Sequence, residues 1–147
     1  MADTGSQSPV ALNSAALKAL REGDALAAKA LFEAALALDP QAVPLWMNLA
    51  TAARAAGDAA AEQKALDAAL DLDRLNFMPW LRKAQLLERL GDTKAALDAW
   101  RAALQLAAGS IQPGEAEGLR NEIRRRLLAA GHIPAELDRT MGQRALS

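Results

Sequence analysis

The sequence predicts an all-α protein built from three copies of one helical hairpin and a final capping helix. Gly-Asp dipeptides begin at Gly23, Gly57 and Gly91, which stand 34 residues apart, and Trp46 and Trp80 repeat at the same interval. Ala and Leu dominate the apolar residues, whereas Val, Ile, Phe and Tyr are scarce, a composition that favours helices over strands. A turn signal that recurs in one register indicates an array of a single supersecondary unit.

The first hairpin has clear start and stop signals. Apolar residues spaced three and four apart predict an amphipathic helix from about Pro9 to Arg21. Gly23 can adopt the positive φ needed at the helix end, and Asp24 can cap a second helix from about Ala25 to Leu38. The dipeptide Asp39-Pro40 then ends the hairpin.

The second and third hairpins follow the same plan. Pro44 and Pro79 lie near the start of the first helix of each hairpin, where a missing backbone N–H is tolerated. The predicted helices are 43–56 and 59–72 in the second hairpin, and 77–90 and 93–107 in the third. The three repeats are expected at about 9–42, 43–76 and 77–110.

The 34-residue register fails after Ala108, so a fourth hairpin is not predicted. Residues 113–130 instead form a predicted single helix that begins at Pro113, ends before Gly131 and covers the exposed face of the third hairpin. Terminal caps of this kind keep stacked repeats soluble. We expect the four arginines of this helix to lie mostly on its solvent side, namely Arg120, Arg124, Arg125 and Arg126.

The flanks of this predicted domain, 9–131, are polar. Residues 1–8 have little to bury and are predicted to be a disordered leader, and residues 132–147 are predicted to be a tail or linker. The N-terminus has neither a basic nor an apolar targeting region, and no apolar run approaches the length of a membrane span. We therefore expect a soluble, cytoplasmic chain that does not interact with membranes.

Composition argues against several classes of function. The net charge is −1 and the sequence pI is about 5.8, and nearby glutamates offset Arg124, Arg125 and Arg126, so no nucleic-acid partner is predicted. There is no cysteine, and His132 is the single histidine, which leaves no set of metal ligands. No Ser/His/Asp set and no phosphate-binding glycine loop is present. The expectation is a non-enzymatic protein without catalytic residues, metal or cofactor.

Residues from about 9 to 108 resemble the tetratricopeptide repeat family, whose unit is a 34-residue helix–turn–helix with small and large residues at fixed offsets. The first helix of each unit carries a large residue and then a small one, at Leu12 and Ala16, Trp46 and Ala50, and Trp80 and Ala84. The second helix carries a small, a large and a small residue, at Ala28, Phe32 and Ala35, at Glu62, Leu66 and Ala69, and at Ala96, Trp100 and Ala103. Alanines let helices approach closely, and the large residues fill the gaps between them.

This resemblance implies a right-handed α-solenoid that binds peptides in a concave groove lined by the first helix of each pair. The residues that it places on the groove are Asn13, Leu17, Arg21, Met47, Asn48, Thr51, Arg54, Leu81, Arg82, Gln85 and Arg89, with Leu20 and Glu88 nearby. The guanidinium groups could bind a carboxylate or a peptide backbone. The alternative is a solvated helix face without a ligand.

One subset of the family holds a C-terminal carboxylate in a clamp of five basic and amide residues. Asn48 and Arg82 match two of the five positions. Asn13, Leu17 and Met78 occupy the other three, where the family has Lys, Asn and Lys. Because the missing lysines remove most of the charge that would hold the carboxylate, chaperone-tail recognition of this type is predicted to be absent.

Some residues depart from the family pattern. Glu62 stands at a small position, Lys83 at a leucine position, and Ala19 and Ala53 at an aromatic one, which indicates looser packing or an exposed edge. The aromatic residues Phe32, Trp46, Trp80 and Trp100 could line a ligand cage, but their repeat positions favour core packing.

Two other functions remain open. The segments Pro44-Leu45-Trp46 and Leu86 to Gly91 resemble the repeat region that precedes the catalytic domain in bacterial aspartyl/asparaginyl β-hydroxylase-like proteins. That resemblance implies an accessory domain that docks or presents substrate, although the iron ligands of that family, two histidines and a carboxylate, are not in this chain. Alternatively, the uncapped first helix could pair with another copy through Leu12, Ala16 and Ala19, so a monomer or a weak homodimer is expected.

Overall fold

The computed structural model describes residues 7–110 and 113–129, and the described chain forms seven helices. They are α1 Pro9–Arg21, α2 Ala25–Leu38, α3 Val43–Ala55, α4 Ala59–Leu72, α5 Phe77–Arg89, α6 Thr93–Ser110 and α7 Pro113–Ala129. Most of the predicted leader, the whole predicted tail and His132 lie outside the described residues. In the described parts of the chain, no helix is both long and apolar enough to cross a membrane.

The helix boundaries follow the predicted start and stop signals closely. The predicted bounds of α1, α2 and α4 agree with the structure at both ends. The largest difference is at α6, which continues to Ser110 instead of ending at Ala107. The added residues are Ala108, Gly109 and Ser110, and the first proline after them is Pro113, so no residue that lacks a backbone N–H interrupts α6 before Ser110.

The three Gly-Asp turns are built alike. Gly23, Gly57 and Gly91 have φ values of 81°, 75° and 80°, a left-handed conformation that glycine adopts without steric cost. Each following aspartate donates its backbone N–H to a carbonyl in the last turn of the preceding helix, at 2.8 to 3.0 Å. Each aspartate side chain also accepts a hydrogen bond from the first turn of the next helix, at 3.0 to 3.2 Å. One dipeptide thus ends one helix and caps the next.

The chain divides into two compact units, with the division between Pro79 and Trp80. In the first unit α1 packs on α2, α2 on α3, and α3 on α4. Alanines at the small repeat positions are fully buried, which lets these helices approach closely, and Phe32 and Leu66 fill the space between them. Trp46 is half-buried, and its Nε1–H donates to the carbonyl of Pro40 at 2.8 Å, which fixes the α2–α3 loop.

Two of the departures from the family pattern have a different outcome from the one expected. Glu62 is 1% exposed and Ala53 is fully buried, so the prediction of an exposed edge at these positions is wrong. Glu62 lies in the first turn of α4, where the helix dipole favours a negative charge. Ala53 stands where the family has an aromatic residue, and it is buried because the helices approach closely around its small side chain.

The second unit consists of α5 from Trp80, α6 and α7. Its core contains Ala84, Leu87, Trp100 and Ile123 with the alanines of α6, and partly buried residues such as Leu81 and Leu119 pack around it. Ile123, on α7, is 1% exposed, so α7 covers the third hairpin as predicted.

The prediction that the four arginines of α7 lie mostly on its solvent side holds for Arg125 only, since Arg120, Arg124 and Arg126 are half-buried. Arg125 is largely exposed, but the Arg126 side chain is 37% exposed and its guanidinium turns toward α5 and α6. Its Nη1 donates to Glu88 Oε2 at 3.0 Å, and its Cζ lies 5.4 Å from the centre of the Trp100 ring. Arg126 is therefore part of the packing of this unit, because a carboxylate and an aromatic face attract the same cation.

Candidate functional site

The first unit has a face on which the first helices of two hairpins meet. We call it the α1/α3 face and define it by seven residues: Asn13, Leu17, Arg21, Met47, Asn48, Thr51 and Arg54. Four-residue spacing puts Asn13, Leu17 and Arg21 along one line of α1. Spacings of three and four residues do the same for the members of this set on α3.

A hydrogen bond between two side-chain amides joins the helices of this face. Asn48 Nδ2 donates to Asn13 Oδ1 at 2.9 Å, although the residues are 35 positions apart in the chain. Both side chains are half-buried. We call these two residues the amide pair. Because α1 and α3 both pack on α2, the bond fixes the lateral position of one line of side chains against the other.

The remaining residues of the α1/α3 face surround the amide pair with apolar and then basic groups. Leu17 and Met47 are half-buried, whereas Arg21, Thr51 and Arg54 are exposed. The Thr51 hydroxyl donates to the carbonyl of Met47 at 3.1 Å, one helical turn earlier. The face therefore offers amide groups and part of two apolar side chains at one level, and two exposed guanidinium groups toward the other end of the helices.

The four predicted groove residues of the second unit lie on α5. Leu81 packs on the core of that unit and is only half-buried, as are Arg82 and Gln85, while Arg89 is exposed. Glu88, expected near the groove, is engaged on both oxygens. Oε1 accepts from the indole Nε1–H of Trp100 at 2.7 Å, and Oε2 accepts from Arg126 at 3.0 Å.

The aromatic residues divide into two groups. Phe32 and Trp100 are buried in the cores of their units, as their repeat positions predict. Trp46 and Trp80 are half-buried, and the Lys83 ammonium lies 5.7 Å from the centre of the Trp80 ring. The outer edges of Trp46 and Trp80 therefore remain accessible, which the core assignment did not predict.

Two charged contacts have no signal in the sequence. One is the Glu88–Arg126 pair, and the other joins Lys29 Nζ on α2 to Asp58 Oδ2 at 3.0 Å. The pKa of Lys29 is raised because its ammonium group hydrogen-bonds to Asp58 and is attracted by the carboxylate. The pKa of Asp58 is lowered, first by a hydrogen bond from the backbone N–H of Ala61 and then by Lys29. Asp58 therefore caps α4 and also ties the second hairpin to the first.

A search of residues 7–110 and 113–129 finds no group of three or more His, Cys, Asp or Glu side chains placed to hold a metal ion. The α1/α3 face thus places amide, apolar and guanidinium groups side by side.

A family comparison and a structural comparison agree on the fold. Residues 79–109, which span most of α5 and nearly all of α6, match the family model described as tetratricopeptide repeat. The comparison with curated protein sequences gives no match.

Several solved structures are similar over most of the chain. The type III secretion chaperone SycD of Yersinia enterocolitica, in complex with a peptide of the translocator YopD, has a TM-score of 0.71 at 21% identity, covering 88% of this chain and 93% of that one. The first repeat domain of Spaghetti (RPAP3), bound to an HSP90 peptide, has a TM-score of 0.70 at 21% identity, covering 86% and 95%. The Sgt2 repeat domain of Aspergillus fumigatus has a TM-score of 0.67 at 20% identity, covering 83% and 81%.

These findings confirm the predicted resemblance to the tetratricopeptide repeat family, by sequence in the third hairpin and by fold over most of the chain. They also confirm the fold class, an all-α solenoid of tetratricopeptide-type hairpins.

Proposed function

We propose that this chain is a non-enzymatic, cytoplasmic interaction module that binds a peptide segment of a partner protein on its α1/α3 face. The Asn13–Asn48 hydrogen bond carries the proposal, because it sets the first helices of two hairpins side by side and leaves their polar and apolar groups outside the core. Two similar structures, those of SycD and RPAP3, hold peptides of other proteins, which supports the same use of this fold here.

The face suits an extended or helical segment with acidic and apolar side chains. Leu17 and Met47 would supply apolar contact, and Arg21 and Arg54 are exposed guanidinium groups that can orient carboxylates by paired hydrogen bonds. In the second unit we propose that Leu81, Arg82, Gln85 and Arg89, at related repeat positions, contact a peptide in the same manner. The partner is a protein; the charge balance of the chain does not favour nucleic acid.

The test is retention of a partner from native lysate by the purified chain, identified by mass spectrometry. The informative variant reverses one charge in each unit, Arg54→Glu on the α1/α3 face together with Arg82→Glu on α5. A matched control reverses two exposed lysines on the second helices of the same hairpins, Lys64→Glu with Lys94→Glu. Both variants change the net charge equally, so a non-specific electrostatic effect would appear in both.

We expect the arginine variant to lose a protein that the wild type and the lysine variant retain. The helical circular dichroism of all three proteins should be the same, since the substitutions lie on helix surfaces. If all three baits retain the same proteins, or none, the α1/α3 face is not the working surface and the proposed function fails.

A further inference from the structure

The second helix of the first hairpin is apolar on both of its long sides. Its buried side carries Phe32 and two alanines and faces the core, where α2 packs on α1 and α3. The opposite side also carries large apolar groups, since Leu26 is 72% exposed and Leu38 is 57% exposed. A helix that is apolar all round is normally buried on all sides. We call this exposed apolar surface the α2 outer face and define it by five residues: Leu26, Ala30, Ala34, Ala37 and Leu38.

The other two second helices are polar at the same repeat positions. In α4 and α6 at least two of the three positions that correspond to Leu26, Ala30 and Ala37 carry a charged or amide side chain. The repeat therefore does not itself require an apolar outer face, and the face of α2 differs from those of its two counterparts. The corresponding residues are Ala60, Lys64 and Asp71 in α4 and Lys94, Asp98 and Gln105 in α6.

The α2 outer face is complementary to a second copy of itself in the antiparallel direction. Its two leucines stand six residues before and six after Phe32, and Ala30 and Ala34 stand two before and two after it. A two-fold axis at the level of Phe32 would therefore place Leu26 of one copy beside Leu38 of the other. The same axis would place Ala30 of one copy against Ala34 of the other. Alanines at the centre let two helices approach closely, and leucines at both ends extend the apolar contact.

The charged rim of the α2 outer face suits the same pairing. Lys29 and Glu33 are four residues apart and therefore lie on the same side of α2. Across the two-fold axis, Glu33 of one copy and Lys29 of the other would differ by two residues in level, which is about 3 Å along the helix. Lys29 Nζ already binds Asp58 at 3.0 Å, and an ammonium group has further donors for a second carboxylate. Opposite charges would thus face each other in both halves of the contact.

We propose that the chain forms a two-fold homodimer through the α2 outer face, with the α2 helices of the two copies antiparallel. The face of one helix of 14 residues is about 20 Å long and about 10 Å wide, which is much smaller than the roughly 800 Å² per partner of a stable interface. The dimer is therefore reversible, and its population depends on concentration. The α1/α3 face lies on other helices, so this inference goes beyond the proposed function and does not depend on it.

The first measurement is sedimentation equilibrium of the whole chain from about 1 μM to about 1 mM, a range that covers weak association. The informative variant gives α2 the residues that α4 carries at the same repeat positions: Leu26→Ala, Ala30→Lys and Ala37→Asp. Its net charge equals that of the wild type, because one positive and one negative charge are added.

A matched control makes the same kinds of change on exposed residues of α1: Val10→Ala, Ala11→Lys and Ala15→Asp. We expect the wild type and this control to dimerise alike. The α2 variant should raise the dimer dissociation constant at least about tenfold, because each added charge is placed against an apolar residue of the other copy. The helical circular dichroism of all three proteins should be the same, since the changes lie on helix surfaces.

Disulfide cross-linking tests the antiparallel register in a chain that has no cysteine of its own. Two single variants are prepared, Ala30→Cys and Ala34→Cys, one of them with an affinity tag so that the products differ in mass. Because these two positions face each other across the axis, disulfides between the two variants should form in excess over disulfides within either one. Each variant has one exposed substitution, so this test gives an answer even if the triple variant is unstable.

Three results would overturn the proposal. One is a wild-type chain that stays monomeric over the whole range, including the case in which the α2 variant loses a different protein that the wild type retains from lysate. The others are a dimer that the α2 variant leaves unchanged or the α1 control disrupts, and random pairing of the two cysteine variants. Arg54→Glu with Arg82→Glu should leave the dimer intact, so failure of peptide binding and failure of dimerisation are measured separately.

Discussion

Arg54 in the first unit and Glu88 in the second occupy the same position of their repeats, 34 residues apart, and have different surroundings. Arg54 is exposed on the α1/α3 face. Glu88 has one oxygen on the indole of Trp100 and the other on Arg126 of α7. Repeat position alone therefore does not decide whether a polar side chain is available to a ligand. In the second unit, Arg126 of α7 and Trp100 of α6 both bind the Glu88 carboxylate, so this side chain stabilises the packing of the helices.

The largest effect on the free energy of unfolding is expected at a repeat position that is buried in both units. Phe32 and Trp100 hold the same large position and are buried to 0% and 1% exposure. Phe32→Ala and Trp100→Ala should each lower the free energy of unfolding by about 3–5 kcal/mol, because each leaves a cavity in a core that cannot fully collapse. Urea denaturation followed by circular dichroism measures both. A loss below about 1 kcal/mol in either variant would show that the large position is not the centre of its hairpin.

A smaller loss of stability is expected on removing Glu88, and a much smaller one on removing Arg54. Glu88→Ala should cost about 1–3 kcal/mol, because it leaves the Trp100 indole without its acceptor and removes one of the two carboxylates that bind Arg126, the other being Glu122. Arg54→Ala should change stability by less than about 0.5 kcal/mol, as is usual for an exposed side chain. Hydrogen exchange should rise in α6 and α7 of the Glu88 variant and stay unchanged in α1 to α4. Equal costs for the two substitutions would remove the distinction between the two positions.

Substitutions in the Gly-Asp turns of the two units should each lower the free energy of unfolding by about 1 kcal/mol. Gly57 and Gly91 have positive φ, and a Cβ at either position would meet no atom within 4 Å. Gly57→Ala and Gly91→Ala should therefore each cost about 1 kcal/mol through backbone conformation alone. Thermal unfolding of the two variants against the wild type measures the cost. A much larger loss at one turn than at the other would mean that the turns differ in more than their φ angle.

The fold was largely predictable because its signals are local. Gly23, Gly57 and Gly91 mark three turns, and the alanines and large residues between them identify the buried face of each helix without any knowledge of distant contacts. The bounds of α1, α2 and α4 follow from these signals, because caps and turns depend on residues only a few positions apart.

The contacts that decide which polar groups are available were not predictable in this way. The partners of the Asn13–Asn48 and Lys29–Asp58 contacts are about one repeat apart, and Glu88 and Arg126 are separated by 38 residues. Each contact depends on which side chains face each other after the helices pack, which no periodicity specifies. Of the three residues expected to form a self-association surface, Leu12 and Ala16 are buried, as their repeat positions predict, and Ala19 is half-buried.

The smallest expected effect concerns the pH dependence of the Lys29–Asp58 contact, which links the two hairpins of the first unit. Since the folded pKa of Asp58 is lowered, its stabilisation is present above the unfolded value of about 3.9 and is lost as the pH falls through the folded value. Since the folded pKa of Lys29 is raised, its stabilisation is present below the unfolded value of about 10.4 and is lost as the pH rises through the folded value. Lys29→Met should therefore lower the free energy of unfolding by a constant amount from about pH 5 to 9 and by progressively less outside that window. The control is Lys18→Met, because the Lys18–Glu22 contact is 4.0 Å long with both side chains well exposed, and this variant should show no pH-dependent difference from the wild type. A Lys29→Met difference that persists unchanged at pH 2 to 3 would mean that Lys29 stabilises the first unit by packing and not by its charge.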